Sequence, residues 1–144
     1  MRPPHSLWWD ALPHPLSPRP SLTTHLDVDV AIVGGGFTGL WTARELKRRD
    51  RALRIVVLEQ SVCGFGASGR NGGWASSFYP LADESIVARH GMDQFRHLRT
   101  VLQDAVSGLG AATVEDGIDC DFVHGGTLDF ARSEPQVERL QHHV

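Results

Sequence analysis

The stretch Asp29-Val-Ala-Ile-Val-Gly-Gly-Gly-Phe-Thr-Gly39 joins an apolar run to three consecutive glycines, and a fourth glycine follows three positions later. Twenty positions after Gly39, Glu59 closes a second apolar run, Arg54-Ile-Val-Val-Leu-Glu59. A strand, a glycine turn, a helix, a second strand and a terminal acid within about 30 residues are typical of a dinucleotide-binding βαβ unit. The sequence therefore predicts an α/β fold with a Rossmann-type start.

Each spaced glycine of this turn has a separate physical role. Gly34 permits the tight turn out of the strand, and Gly36 lets a pyrophosphate approach the backbone because it has no Cβ. Gly39 lets the following helix lie close to the strand. Phe37 and Thr38 open that helix, whose free amides and positive dipole end favour phosphate. The alternative is a βαβ turn that binds nothing.

The acid at the end of the second strand can accept hydrogen bonds from both ribose hydroxyls of a dinucleotide. Gln60 follows Glu59, and no arginine occurs before Arg70. Because the 2′-phosphate of NADP requires a nearby cation, this spacing disfavours NADP. Glu59 and Gln60 are therefore predicted to contact the adenosine ribose.

A second glycine-rich stretch, Gly64-Phe-Gly-Ala-Ser-Gly-Arg-Asn-Gly-Gly-Trp74, has five glycines in its first ten residues. It offers many backbone amides together with hydroxyl, guanidinium and amide donors. A second anion-binding loop beside the first suits the pyrophosphate and flavin of FAD better than NAD. The predicted contacts on the pyrophosphate and flavin side are Ser68, Arg70, Asn71, Gly72 and Gly73. The alternative for this stretch is a flexible surface loop.

These segments resemble the amino-terminal part of the FAD-dependent amine oxidoreductases, the superfamily of D-amino-acid oxidase, glycine oxidase and sarcosine oxidase. The stretches Ala67-Ser-Gly-Arg-Asn-Gly-Gly73, Trp8-Trp9 and Gly125-Gly-Thr-Leu-Asp-Phe-Ala131 are most similar to the γ-glutamylputrescine oxidase branch. The resemblance implies FAD as the cofactor and oxidation of a small-molecule amine or amino acid by hydride transfer to flavin. Some relatives attach flavin covalently through a histidine after the second strand. No histidine occurs between Ser61 and Phe78, so the resemblance implies non-covalent FAD.

Whole members of that superfamily run to several hundred residues, so the resemblance implies that this chain is an amino-terminal fragment. The fragment alone is expected to be inactive, and its sequence identifies no catalytic residue, substrate, electron acceptor or oligomeric state. Two other functions stay open at this point. One is an NAD-dependent dehydrogenase, and the other is a nucleotide-binding or interaction module without chemistry.

The composition and charge of the chain narrow the possible partners, sites and locations of the protein. The formal net charge of the 144 residues is −3, which argues against nucleic acid as the main partner. Cys63 and Cys120 have no metal-ligand spacing around them, so no metal site is predicted. No apolar run approaches the length of a membrane span, and no signal core precedes the first strand. A cytoplasmic protein is the expectation.

The chain is predicted to contain four segments. They are a Pro-rich amino-terminal arm (1–26), an FAD-binding βαβ unit with the glycine loop (27–82), a helical segment (83–118) and the start of a mixed α+β substrate domain (119–144). The arm holds six of the eight prolines and is predicted to be extended, without helix. Trp8 and Trp9 favour an arm that is pinned to its own domain over one that binds a partner.

The predicted elements follow from apolar periodicity and from turn residues. They are strands at Val28–Val33 and Arg54–Glu59, a helix from Phe37 to about Arg49, helices between Glu84 and Glu115 that break at Gly91 with Asp93 as a cap, a hairpin at 121–131, and a helix after Ser133.

Overall fold

The structure, a computed structural model, describes residues 6–14 and 16–142, and the chain divides into two compact units after Trp74. The first unit contains a helical turn α1 (Leu7–Asp10), strand β1 (Val30–Val33), helix α2 (Phe37–Arg49), strand β2 (Ile55–Leu58) and a 3₁₀ turn (Ala67–Gly69). The second unit contains helices α3 (Asp83–His90), α4 (Met92–Glu115) and α5 (Glu134–His142). Residues 1–5 and 15 of the predicted arm, and residues 143–144 of the last predicted segment, lie outside the described residues.

The two strands form a parallel pair that α2 connects, as the glycine pattern predicted. Val30 pairs with Ile55 and Val33 with Leu58. The amide of Gly34 then donates to the carbonyl of Leu58 at 2.7 Å, so the pairing continues into the glycine turn. Both strands are shorter than predicted, but their order and the bounds of α2 are confirmed.

Helix α2 ends in a cluster of cations, which interact favourably with the negative end of the helix dipole. Its C-cap is Asp50, and the ammonium group of Lys47 donates to the carbonyls of Arg51 and Leu53 at 2.6 and 2.9 Å. These bonds fix the connection between the end of α2 and the start of β2. The second strand therefore enters the sheet in a defined register.

The first unit buries little apolar surface. Within the described residues, the buried hydrophobic side chains are Ile86 and Ala112, and both belong to the second unit. Val33 of β1 is 87% exposed, whereas parallel sheets are usually covered on both faces. The hydrophobic stabilisation of the βαβ unit is therefore small, and individual polar and backbone contacts matter more to its stability.

The second unit begins with two helices that meet at Gly91, where φ is +84°. This confirms the predicted break, because that φ lies in a region that glycine readily adopts. The prediction that Asp93 caps the second helix is wrong. Gly91 itself occupies the N-cap position, and Asp93 lies within the first turn of α4.

The predicted hairpin at 121–131 is also wrong, because residues 119–132 contain no strand. Asp121 has a φ of +51° and Gly126 one of +76°, which interrupts an extended run. The ring of Phe122 instead lies against Gly110 of α4, where a Cβ would overlap it. An isolated two-stranded hairpin is marginal in water, so packing on α4 decides the conformation here.

The expected helix after Ser133 is present as α5. The carbonyl of Ser133 accepts from the amides of Gln136 and Val137, which places Ser133 at the start of the helix. Pro135 lies in the first turn, where its missing amide proton costs no helical hydrogen bond.

The amino-terminal arm is not wholly extended, which corrects the prediction of an arm without helix. The hydroxyl of Ser6 accepts from the amide of Trp9 at 3.3 Å and caps the single turn α1. This local cap overrides the Pro-rich composition of the arm. The described residues from Leu12 to Asp29 contain no helix or strand.

An ion pair closes the base of the parallel strands. The carboxylate of Asp29 accepts from the side chain of Arg54 at 2.9 and 3.2 Å and from its backbone amide at 2.8 Å. These hydrogen bonds lower the pKa of Asp29 from 3.8 to about 2, and the bond from the side chain of Arg54 has the largest effect. The pair therefore stabilises the strand pairing when Asp29 is ionised.

We expect Asp29→Asn to lower the thermal stability of the chain at neutral pH and to lose this effect in strong acid. The folded-state pKa is lower than the unfolded one, so the stabilisation is present above the unfolded value of about 3.8 and disappears as the pH falls through about 2. Circular dichroism melts of both proteins across this range measure the difference, with Asp129→Asn in the second unit as the charge-matched control. A stability difference that stays constant down to pH 2 would contradict this assignment.

Candidate dinucleotide-binding site

The glycine turn between β1 and α2 is shaped by close backbone contacts. Gly34 has a φ of +102°, a conformation that side-chain-bearing residues rarely adopt. A Cβ on Gly39 would overlap the carbonyl oxygen of Gly34, so the first turn of α2 lies directly against the glycine turn. Gly36 is the N-cap of α2, and its carbonyl accepts from the amide of Leu40 at 3.0 Å. The turn therefore places the start of α2 at the carboxyl end of β1.

Glu59, which follows β2, lies against the same turn. Its Oε2 accepts from the amide of Gly35 at 2.7 Å, and its Oε1 accepts from the amide of Ser61 at 2.9 Å. These bonds stabilise the charged form, so they hold the pKa of Glu59 below its ordinary value, with the Gly35 amide as the largest cause. Each carboxylate oxygen has a second lone pair, so Glu59 can still accept hydroxyl hydrogen bonds.

The glycine loop, residues 64–73, also contacts the glycine turn and the start of α2. The amide of Gly64 donates to the carbonyl of Gly35 at 2.9 Å, and the hydroxyl of Ser68 accepts from the amide of Phe37 at 2.9 Å. Phe37 begins α2, and its amide has no partner within the helix. A Cβ on Gly36 would lie 3.0 Å from the Ser68 hydroxyl. The structure thus brings together the predicted residues Gly36, Phe37 and Ser68.

Other predicted residues make their hydrogen bonds within the glycine loop itself. The side-chain nitrogen of Asn71 donates to the carbonyls of Ala67 and Ser68, and its Oδ1 accepts from the amide of Gly73 at 2.8 Å. The Nε of Arg70 donates to the carbonyl of Gly66 at 3.2 Å. Asn71 therefore shapes the loop that carries Ser68. The predicted cofactor contacts of all these residues, and those of Thr38, Gln60 and Gly72, stay predictions.

Sequence reasoning missed several residues that build this site. Gly35 is buried and donates to Glu59, and a Cβ there would lie 2.8 Å from the sulfur of Cys63. Ser61 holds the other carboxylate oxygen. Ser6 and Trp8 bond the glycine loop from the arm, which confirms that the arm is pinned to its own unit. The run of three glycines was a signal for the role of Gly35 in the turn, and the paired tryptophans were a signal for the attachment of the arm.

The part of the chain that the structure describes contains neither a membrane-spanning helix nor a cluster of metal-ligand side chains. None of its helices combines the length and apolarity that crossing a membrane requires. No group of three or more histidine, cysteine, aspartate or glutamate side chains in these residues could hold a metal ion. The site consists of backbone amides, the carboxylate of Glu59, and hydroxyl, amide and guanidinium side chains of the glycine loop.

Comparison with known proteins gives a match over most of the chain. The family model described as FAD dependent oxidoreductase (DAO) matches residues 29–144. The chain is 35% identical over 94% of its length to the γ-glutamylputrescine oxidoreductase of Escherichia coli (strain K12), of which it covers 31%. It is 29% identical over 80% of its length to the glycine oxidase of Geobacillus kaustophilus, of which it covers 28%.

The chain is also 31% identical over 74% of its length to an oxidoreductase named OrdL of Haemophilus influenzae, of which it covers 24%. It therefore spans less than a third of the length of each of these relatives. No solved structure matches the chain.

Proposed function

The chain belongs to the family of FAD-dependent oxidoreductases, and from this membership we propose that its glycine turn, Glu59 and its glycine loop together hold FAD. Family membership selects FAD over NAD, because FAD is the cofactor that the family binds. The proposal for individual residues is the one that the sequence suggested. The pyrophosphate meets the turn and the start of α2, the ribose meets Glu59 and Gln60, and the flavin side meets the loop.

One observation carries this proposal. Glu59 accepts from the amide of Gly35 in the glycine turn, and Ser68 accepts from the amide of Phe37, the first residue after that turn. A turn that only connected β1 to α2 would need neither an ionised acid nor a hydroxyl on its amides. The carboxylate fits a ribose diol, and the amide that Ser68 now satisfies is one that a phosphate oxygen can take. The residues present therefore fit the dinucleotide half of FAD.

The chemistry of the whole protein is proposed to be the oxidation of a small-molecule amine or amino acid. Bound FAD supplies a hydride acceptor for the C–H bond next to the substrate nitrogen. The residues of this chain hold and orient the cofactor: Glu59 fixes the ribose, and the helix start offers amides to the pyrophosphate. Support for the substrate class comes from the names of two relatives, a γ-glutamylputrescine oxidoreductase and a glycine oxidase.

The role of the second unit follows from the same proposal. Helices α3 and α4 lie in the proposed helical segment, and α5 belongs to the proposed start of a mixed α+β substrate domain, where the predicted hairpin is absent. Because the chain spans less than a third of each relative compared above, we expect it to release no peroxide from amines by itself. The four predicted segment bounds and the cytoplasmic location stay predictions.

We expect Glu59→Ala to weaken FAD binding by about 10- to 100-fold, the effect of losing hydrogen bonds to a charged group. The variant loses the acceptor for the ribose and also the bond that holds the Gly35 amide. Titration of the chain with FAD, followed by quenching of flavin fluorescence, measures the change.

Glu45→Ala is the matched control for this titration. Glu45 is also a carboxylate of the βαβ unit, but it pairs with Arg44 and Arg48 on α2. It should leave FAD affinity unchanged. Equal affinity of the Glu59 variant and the unaltered chain would remove the ribose assignment, and a colourless, non-binding unaltered chain would remove FAD binding by this chain.

A further inference from the structure

The turn α1 is attached to the glycine loop by two side-chain hydrogen bonds. The hydroxyl of Ser6 donates to the carbonyl of Gly69 at 2.8 Å, and the indole nitrogen of Trp8 donates to the carbonyl of Asn71 at 2.6 Å. Each bond joins residues that are 63 positions apart in sequence. The arm is thus tied to the loop that carries Ser68, at two points on either side of Arg70.

Two glycines of the loop are in close contact with this arm. A Cβ on Gly73 would lie 2.9 Å from the indole ring of Trp8, and Gly73 has a φ of +72°. A Cβ on Gly69 would lie 3.0 Å from the indole nitrogen of Trp9 and would overlap the carbonyl of Gly64. Part of the glycine content of the loop is therefore explained by the approach of the two indoles, independently of any cofactor.

The two tryptophans act in different ways. Trp8 is 46% exposed, yet its indole N–H is hydrogen-bonded to the loop. Trp9 is more buried, and its indole nitrogen is buried without a hydrogen-bond partner in the described structure. Leu7 between Ser6 and Trp8 is 73% exposed. The close approach of the Trp9 indole to Gly69 and the directional bonds of Ser6 and Trp8 therefore share the attachment of α1.

A short series of contacts leads from the arm to the start of α2. The indole N–H of Trp8 donates to the carbonyl of Asn71. The side-chain nitrogen of Asn71 donates to the carbonyl of Ser68 at 2.9 Å, and the Ser68 hydroxyl accepts from the amide of Phe37. Ser6 meanwhile holds Gly69, the residue next to Ser68. The position of the Ser68 hydroxyl over the glycine turn thus depends on both attachments of the arm.

We infer that α1 is a brace that orders the glycine loop before the cofactor binds, with Ser6 and Trp8 as positioning residues for FAD. The inference rests on the proposed function for its cofactor part. A loop with five glycines in ten residues has many accessible conformations, and ordering it costs conformational entropy. If the loop is ordered in the free protein, that cost is not subtracted from the binding free energy. The brace therefore raises FAD affinity although it need not touch FAD.

The test compares Trp8→Phe and Ser6→Ala in the full chain by hydrogen exchange and by FAD titration. We expect amides of residues 64–73 to exchange about 3- to 10-fold faster in each variant, the factor for the loss of one neutral hydrogen bond. Amides of α2 beyond its first turn should exchange at the unaltered rate, and the dissociation constant for FAD should rise by a similar factor. Trp74→Phe is the matched control, because Trp74 is 73% exposed.

The outcomes separate the brace from the proposed function. Unchanged exchange of the loop in both variants would overturn the brace, whatever happens to FAD. Faster amide exchange in the loop with unchanged FAD affinity would overturn the positioning role of Ser6 and Trp8. If the loop exchanges faster in the variants but the unaltered chain binds no FAD, the proposed function and the cofactor part of the inference are both overturned, and the brace stands. If Trp8→Phe also loosens α2, it unfolds the unit, and the milder Ser6→Ala then decides.

Discussion

Gly39→Ala is expected to lower the free energy of unfolding of the first unit by about 3 kcal/mol, the upper end of the usual cost of overpacking. The added methyl would overlap the carbonyl oxygen of Gly34, which is backbone and cannot rotate away. Gly34 is itself fixed by its bond to Leu58 and by its positive φ. The first turn of α2 must therefore move off the strands. Chemical denaturation followed by circular dichroism measures the loss.

Gly108→Ala in α4 is the control for this prediction, since it makes the same change inside a helix. A Cβ on Gly108 meets no atom within 4 Å. It should stabilise α4 by about 0.5–1 kcal/mol, because alanine favours helix more than glycine does. A Gly39 variant as stable as the unaltered chain would show that α2 does not pack against the glycine turn as described.

Gly36→Val is expected to weaken FAD binding by about 100-fold or more while α2 persists. Gly36 has a φ of −85°, which valine can adopt, so the fold tolerates the change. The new side chain would lie where only the Ser68 hydroxyl approaches now, at 3.0 Å from the Cβ position. It would displace that hydroxyl and occupy the surface on which a pyrophosphate must lie.

Flavin content after gel filtration, together with circular dichroism, checks this expectation. Gly108→Val is the matched control, because it makes the same substitution outside the proposed site, at a position where a Cβ has no neighbour within 4 Å. Full flavin retention by the Gly36 variant would show that the turn does not carry the phosphates. The Gly39 and Gly36 variants together separate damage to the fold from damage to the site.

The elements that the sequence predicted correctly are those whose determinants are contiguous. The bounds of α2 follow from the glycine turn at one end and the cations at the other, and the break at Gly91 follows from one residue. The wrong predictions have tertiary or very local causes. Phe122 alternates like a strand residue, yet its place is decided by a glycine of α4 twelve positions earlier. Ser6 caps a turn inside a segment whose prolines suggested an extended chain.

The site shows the same division. The glycines and Glu59 were predictable, because their spacing is a direct consequence of the strand–turn–helix geometry. The bonds from Glu59 to Gly35 and from Trp8 to Asn71 were not, because they join side chains to backbone groups 24 and 63 positions away. Such bonds accept many residue types at the backbone end and leave no pattern of spacing. The family was identifiable because each of its motifs is a short continuous stretch of sequence.

The two amides that hold Glu59 have a consequence for the calorimetry of cofactor binding. Because they lower the pKa of this carboxyl in the free protein, these bonds favour the ionised form, which accepts hydroxyl hydrogen bonds, before a ribose arrives. Association at this position then exchanges no proton with the solvent. The observed enthalpy should be the same in buffers whose own ionisation enthalpies differ, as far as this carboxylate is concerned. The affinity of this carboxylate for sugar hydroxyls should therefore not depend on proton uptake or release.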